Sequence, residues 1–263
     1  MGRIISLASG VLPEFPPEQL IASAAAAGFN AVGIWHDAAS WTDQRTAAVA
    51  KALKDHQLIA LDIEAAWFHP GEAIDAHDSI VDIAKAIGAR NVLCVSSEPD
   101  SMNTQQRLER LCQRAEGSDI RIVLEFLSLT SIKTLEQALA VIKNVKHPAA
   151  GILVDALHLQ RNASTPADVA QLDPQLLPYL QLCDASLDVR DQSMEGLMED
   201  ALYLRKMPGE GDLPLAELLA SFADTTPISL EIRSRALMEK YPDPTQRAKA
   251  VYAQASAYLA RLK

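Results

Sequence analysis

Short apolar runs alternate with longer, Ala-rich stretches of helical periodicity eight times along this chain, and few folds accommodate such an alternation. The runs are Ile4–Leu7, Ala31–Trp35, Ile59–Ile63, Asn91–Val95, Ile120–Phe126, Gly151–Val154, Tyr179–Leu182 and Ile228–Ile232. They are rich in Ile, Val and Leu and show little polar/apolar alternation, as expected of parallel strands buried on both faces. Helices are expected over 16–27, 43–55, 76–87, 103–114, 131–143, 166–172, 215–222 and 244–262. The first opens on Pro16-Pro17-Glu18 and stops at Gly28, and the third stops at Gly88, so both carry ordinary start and stop signals. Eight such units in 263 residues match a single (β/α)8 TIM barrel spanning residues 1–263. An open doubly wound sheet fits less well. Its first strand usually runs into a Gly-rich phosphate turn, whereas here it runs into Ala8-Ser9-Gly10-Val11-Leu12-Pro13.

Composition narrows the function. Apolar residues make up 49% of the chain, which excludes disorder. Lys and Arg total 24 against 34 Asp and Glu, a net charge of −10 that argues against a nucleic-acid backbone as partner. Cys94, Cys112 and Cys183 are far apart and form no CxxC pair, so buried reduced thiols are expected. No apolar run is long enough to span a bilayer, and the first residues enter an apolar run at once, so no membrane partner and a cytoplasmic location are expected. The longest connection, 185–208, follows the seventh run and is a candidate lid or binding loop.

A barrel of this kind carries its chemistry at the C-terminal ends of its strands. There the fifth run holds Glu125, the sixth Asp155 with His158 just after it, the seventh Gln181 and Asp184, and the eighth Glu231. Such groups are costly to bury unpaired, and converging carboxylates repel one another. A divalent cation held by Glu125, Asp155, Gln181 and Glu231 removes both problems. This hard, oxygen-rich set suits Mn2+ or Mg2+ rather than Zn2+ or Co2+. Glu64, His36 and His69 lie at the ends of earlier strands and are candidate substrate-binding residues, with Trp35 and Trp67 as possible walls.

The set resembles that of the xylose-isomerase-like TIM barrels, which include sugar-phosphate isomerases and epimerases, hydroxypyruvate isomerase, inosose dehydratase and 3-dehydroshikimate dehydratases. The resemblance is sharpest from residue 122 onward. Val154-Asp155-Ala156-Leu157-His158 looks like the family's Asp-x-x-His segment, and Gln181-Leu182-Cys183-Asp184 followed by Arg205-Lys206-Met207-Pro208-Gly209-Glu210-Gly211 is similar to the hydroxypyruvate isomerase pattern. The chain departs from that pattern at Asp212, where Glu is usual, and in the long segment before Arg205. The resemblance implies a metal-dependent isomerase or epimerase of a keto sugar or hydroxy-keto acid. Glu125 and Glu231 would transfer protons through an enediolate, His158 would donate a hydrogen bond or proton, and Arg205 would clamp the substrate. The alternatives are a lyase that uses the same enolate for dehydration, and a non-catalytic barrel that binds a sugar or metal. The endonuclease branch needs more His ligands and a basic face. The expected partner is a small polyhydroxylated carbonyl compound, and a homo-oligomer is compatible with the helical exterior.

Overall fold

A computed structural model describes residues 3–189 and 191–262. Eight strands, β1 (Ile5–Leu7), β2 (Ala31–Trp35), β3 (Ile59–Phe68), β4 (Asn91–Ser96), β5 (Arg121–Glu125), β6 (Ala150–Asp155), β7 (Leu180–Leu182) and β8 (Ile228–Leu230), form a closed barrel in chain order. Every neighbouring pair is parallel, and β1 closes on β8 through Ile5↔Ile228, Ser6↔Ser229 and Leu7↔Leu230. The (β/α)8 barrel expected from the sequence is thus the fold. Among the described residues no helix is long and apolar enough to cross a membrane. All three cysteines are buried and free.

The outer ring holds α1 (Pro17–Ala27), α2 (Asp43–His56), α3 (Asp78–Ile87), α4 (Ser101–Arg114), α5 (Leu135–Val145), α7 (Pro166–Val169), α9 (Leu215–Ala220) and α11 (Pro244–Arg261). The helix expected to end at 172 stops at Val169; four residues on, Asp173 precedes Pro174, where the helical conformation is disfavoured. Three more helices were not anticipated: α6 (Ala156–Arg161), α8 (Met194–Tyr203) and α10 (Arg235–Lys240). Each is short, and its start is set by one capping side chain rather than by an apolar stripe: Asp155, Ser193 and Ser234 accept from backbone N–H groups one turn on. Strand β3 runs five residues beyond the expected end, since Ala66, Trp67 and Phe68 pair with Cys94, Val95 and Ser96.

Two apolar layers separate cleanly. Residues facing the helices form the larger cluster, whereas Ala31, Leu61, Leu93, Val123, Leu153 and Tyr179 fill the barrel interior. Among these interior side chains sits an acid, Asp62, fully buried, whose Oδ2 accepts from the Tyr179 hydroxyl at 2.8 Å. Burial pushes its carboxyl up to about 7 despite that hydrogen bond. The folded state therefore holds a proton on Asp62 that the unfolded chain releases near pH 4, and the associated stability is lost as pH rises through about 7. Asp62→Asn is expected to remove this loss. Relative to wild type, the variant gains about 3 kcal/mol on going from about pH 5 to about pH 8, measured by urea unfolding at both values.

Candidate active site

Side chains of a strand alternate between faces, so the residue two positions beyond an inward-facing one also faces inward. Val123, Leu153 and Tyr179 face the interior. Glu125, Asp155 and Gln181 follow each of them by two. Glu231 follows Ser229, which aligns with Gln181 across the sheet. Period-two geometry therefore gathers the four residues expected from the sequence at the C-terminal mouth, all 6% exposed or less. A cavity of about 190 Å3 opens there, lined by Glu64, Glu125, Gln181, Glu231, His158 and Arg205 on its polar side. Leu93, Val95, Leu127, Leu129 and Trp67 make an apolar wall.

The acids differ in their partners. Asp155 is fully buried; its Oδ1 accepts from Leu157 N and His158 N, and its Oδ2 accepts from Arg205 Nη1 at 2.6 Å. Burial alone would push its carboxyl up, but the Arg205 guanidinium and the interactions with His158 together hold it below the usual range. Glu125 has no such cation, and burial together with the Asp155 charge pushes it well up. Glu64 is pushed well up by burial and by the Glu231 charge. Glu231 Oε1 accepts from Arg233 Nε at 2.9 Å, while its Oε2 is buried without a partner.

His158 was expected to donate. Burial lowers its imidazole to about 4, so it is neutral at ordinary pH. Its Nε2 lies 3.4 Å from Arg205 Nη2 and 4.0 Å from Glu125 Oε1. A guanidinium has no acceptor, so facing Arg205 this nitrogen accepts and the proton belongs on Nδ1.

The loop after β7 is held in place by Asp184, which accepts from Ala185 N, Gly209 N and Leu213 N. At Gly211 a Cβ would stand 2.4 Å from Asp184 Oδ1, so only glycine fits under that carboxylate. This explains why Gln181-x-x-Asp184 and the downstream Pro-Gly-x-Gly segment occur together. The long connection 185–208, of which Arg190 lies outside the described residues, folds into α8; Met198, Ala201 and Leu202 from it line the cavity. Arg161 on α6 pins α8 through Asp200, at 2.7 Å.

Two expected residues lie away from the cavity. His36 is buried but packs on Trp41, with ring centroids 5.1 Å apart. His69 lies past the end of β3, exposed and stacked on Trp67. Neither lines the cavity. Arg233, which does, was missed: an arginine three residues beyond a strand end carries no signal until the fold places it beside Glu231. Gly10, in the turn after β1, makes room for this pair; a Cβ there would lie 2.3 Å from Glu231 Oε1 and 2.5 Å from Arg233 Nε. Gly10→Ala is expected to displace both side-chain ends and cut turnover roughly tenfold or more, with a melting-temperature change of only a few degrees. An unchanged kcat would show that the pair tolerates the shift.

The donor chemistry fits a divalent cation. Four buried carboxyls, Glu64, Glu125, Asp155 and Glu231, meet two guanidiniums, those of Arg205 and Arg233, so Glu64 and Glu125 lack a paired cation and are the two pushed well up. Glu125, Asp155, Gln181 and Glu231 all offer oxygen, and Glu231 Oε2 is buried and unpartnered. Among the described residues no three His, Cys, Asp or Glu side chains converge on a single point; the Arg205 guanidinium closes on Asp155 instead.

Comparison with known proteins is consistent along most of the chain. A family model described as xylose isomerase-like TIM barrel matches residues 21–262. Proteins of Pseudomonas putida and Pseudomonas aeruginosa, each named 3-dehydroshikimate dehydratase, are 24% and 25% identical over 245 residues. The match covers 85% of this chain, and the chain spans only 36% of the length of those relatives. Among solved structures, a xylose isomerase-like TIM barrel/4-hydroxyphenylpyruvate dioxygenase fusion protein superposes with a TM-score of 0.83 at 21% identity, covering all of this chain and 44% of that one. IolI, solved with a bound zinc atom, superposes with a TM-score of 0.78 at 18% identity, covering 98% of this chain and 97% of that one.

Proposed function

The chain belongs to the xylose isomerase-like TIM barrel family, and from that premise we propose that it is a metal-dependent lyase that removes water from a small polyhydroxylated ketone through an enolate. The observation that carries this reading is Glu231 Oε2, a buried carboxylate oxygen without a partner at the mouth of the barrel. A base so placed pays no cost of breaking a hydrogen bond before it takes a proton. The cavity of about 190 Å3 suits a single ring or a short chain.

A divalent cation held by Glu125, Asp155, Gln181 and Glu231 would polarise the substrate carbonyl as a Lewis acid, with Mn2+ or Mg2+ suiting the oxygen ligands. Glu231 Oε2 takes the proton from the carbon next to that carbonyl. The electrons of the C–H bond pass into the enolate, and as the carbonyl re-forms they become the new C=C bond while the hydroxyl on the next carbon leaves. That hydroxyl departs as water with the proton that Glu231 has taken, so the carboxylate ends the cycle as it began. The apolar wall of Leu93, Val95 and Leu127 receives the carbon face of the ring and keeps bulk water from the enolate.

The isomerase or epimerase reading shares the first proton transfer and differs only in the fate of the enolate. The names of the Pseudomonas relatives favour elimination. The test is incubation with 3-dehydroshikimate and Mn2+ or Mg2+ in D2O. Growth of an aromatic absorbance that stops on chelation is expected. Deuterated ketone recovered without that absorbance would move the assignment to isomerisation, and neither outcome across a panel of ketoses would remove the enzymatic reading.

A further inference from the structure

Two guanidiniums line the mouth, and they are in opposite situations. Arg205 is 4% exposed and its donors are committed: Nε to Ala201 O at 2.8 Å, Nη1 to Asp155 Oδ2 at 2.6 Å and Glu231 O at 3.2 Å, and Nη2 to His158 Nε2 at 3.4 Å. Its charge is matched by the fully buried Asp155. Arg205 is thus a bracket between β6, β8 and the loop after β7, with little left for a substrate.

Arg233 is the reverse. Its side chain is 22% exposed, and only Nε is engaged, to Glu231 Oε1 at 2.9 Å. Among the described residues Nη1 and Nη2 have no hydrogen-bond partner, so four of its N–H donors remain, arranged as a planar fork. The fork is held in place from three sides. Glu231 fixes Nε, the missing side chain at Gly10 leaves room for the stem, and the guanidinium carbon stands 5.9 Å from the Trp35 ring centroid. Arg233 also lines a second cavity of about 120 Å3, shared with Ser9, Gly33 and Trp35, so it stands at the partition between the mouth and a small side chamber. Among the described residues Glu231 is the one acid in hydrogen-bond contact with it.

We propose that Arg233 selects a carboxylate-bearing substrate, donating from Nη1 and Nη2 to the carboxylate while the hydroxyketone part lies over Glu231 and Glu125. The identity of that hydroxyketone part rests on the function proposed above; the anion site itself does not. A pinned guanidinium fork loses little freedom on binding and matches a carboxylate bidentately, which a neutral polyol cannot exploit. The clamp role expected of Arg205 passes to Arg233, because Arg205 spends its donors inside the protein.

The test compares 3,4-dihydroxybenzoate with catechol, which share the diol and differ in the carboxylate, by calorimetric titration of the wild-type protein, Arg233→Gln and Arg233→Lys in the presence of Mg2+. Wild type is expected to prefer the carboxylate by roughly 10–100-fold. Arg233→Gln should lose that preference and Arg233→Lys should keep part of it. Two results overturn the proposal: a wild type that does not distinguish the two compounds, and an Arg233→Gln protein that weakens for both in proportion, since the latter would mean that Arg233 only orients Glu231. Selective binding without any water elimination from 3-dehydroshikimate would remove the lyase reading and leave the anion site standing. Elimination by wild type with the preference intact in Arg233→Gln would do the opposite.

Discussion

Glu231→Gln is expected to lower kcat for water elimination roughly 10^3-fold and to leave the melting temperature within a few degrees of wild type. The substituted amide keeps the size of the carboxylate, and its oxygen can still accept from Arg233 Nε, so the packing around Gly10 survives. What it loses is the ability of Oε2 to take a proton. Because that oxygen is buried and unpartnered, the change breaks no hydrogen bond at it, while the loss of the Glu231 charge relieves Glu64. Steady-state kinetics and exchange of the substrate α-proton with solvent deuterium should fall together, since both need the same proton transfer. Retained exchange with lost elimination would instead place Glu231 after the enolate, and unchanged kinetics would sink its role as base.

Arg205→Met should have the largest effect on stability, about 3–5 kcal/mol in a metal-free buffer. Among the described residues the guanidinium is the one cation paired with Asp155, which is fully buried, and it also ties the loop after β7 to β8 through Glu231 O. Removing it strands a carboxylate in a low-dielectric interior, where an uncompensated charge costs far more than the pair contributed. Adding Asp155→Asn to Arg205→Met should restore much of the loss, because the charge that demanded the partner is then gone. Urea midpoints of the two single variants and the double variant measure this coupling. Additive effects would show that the ion pair does not bear on stability.

The barrel was legible because both of its signals are local. Most strands are short runs buried on both faces, and some long helices carry their own start and stop residues, as 17–27 does with Pro17 and Gly28. The short helices α6, α8 and α10 were not legible, since one cap and a few contacts with the finished barrel hold each of them. Glu125, Asp155, Gln181 and Glu231 could be singled out as acids and an amide interrupting apolar runs, and strand alternation brings all four to the mouth. His36 and His69 carried the same kind of signal but sit beyond their strands, where the chain direction is set by packing on Trp41 and Trp67.

By itself the sequence determined the eightfold order of strands and helices and the identity of the polar residues at the strand ends, because hydrophobic period and position within a run act over a few residues. Only the tertiary structure decided which charges meet. Arg205 and Asp155 are fifty positions apart and Arg161 and Asp200 thirty-nine. Arg233 is two residues from Glu231 but owes its place to Gly10 at the far end of the chain, where β1 closes on β8. Pairing depends on distance through space and on burial, which set how strongly each charge must be answered. That is why Arg205 turns inward as a structural bracket while Arg233 keeps its fork for a substrate.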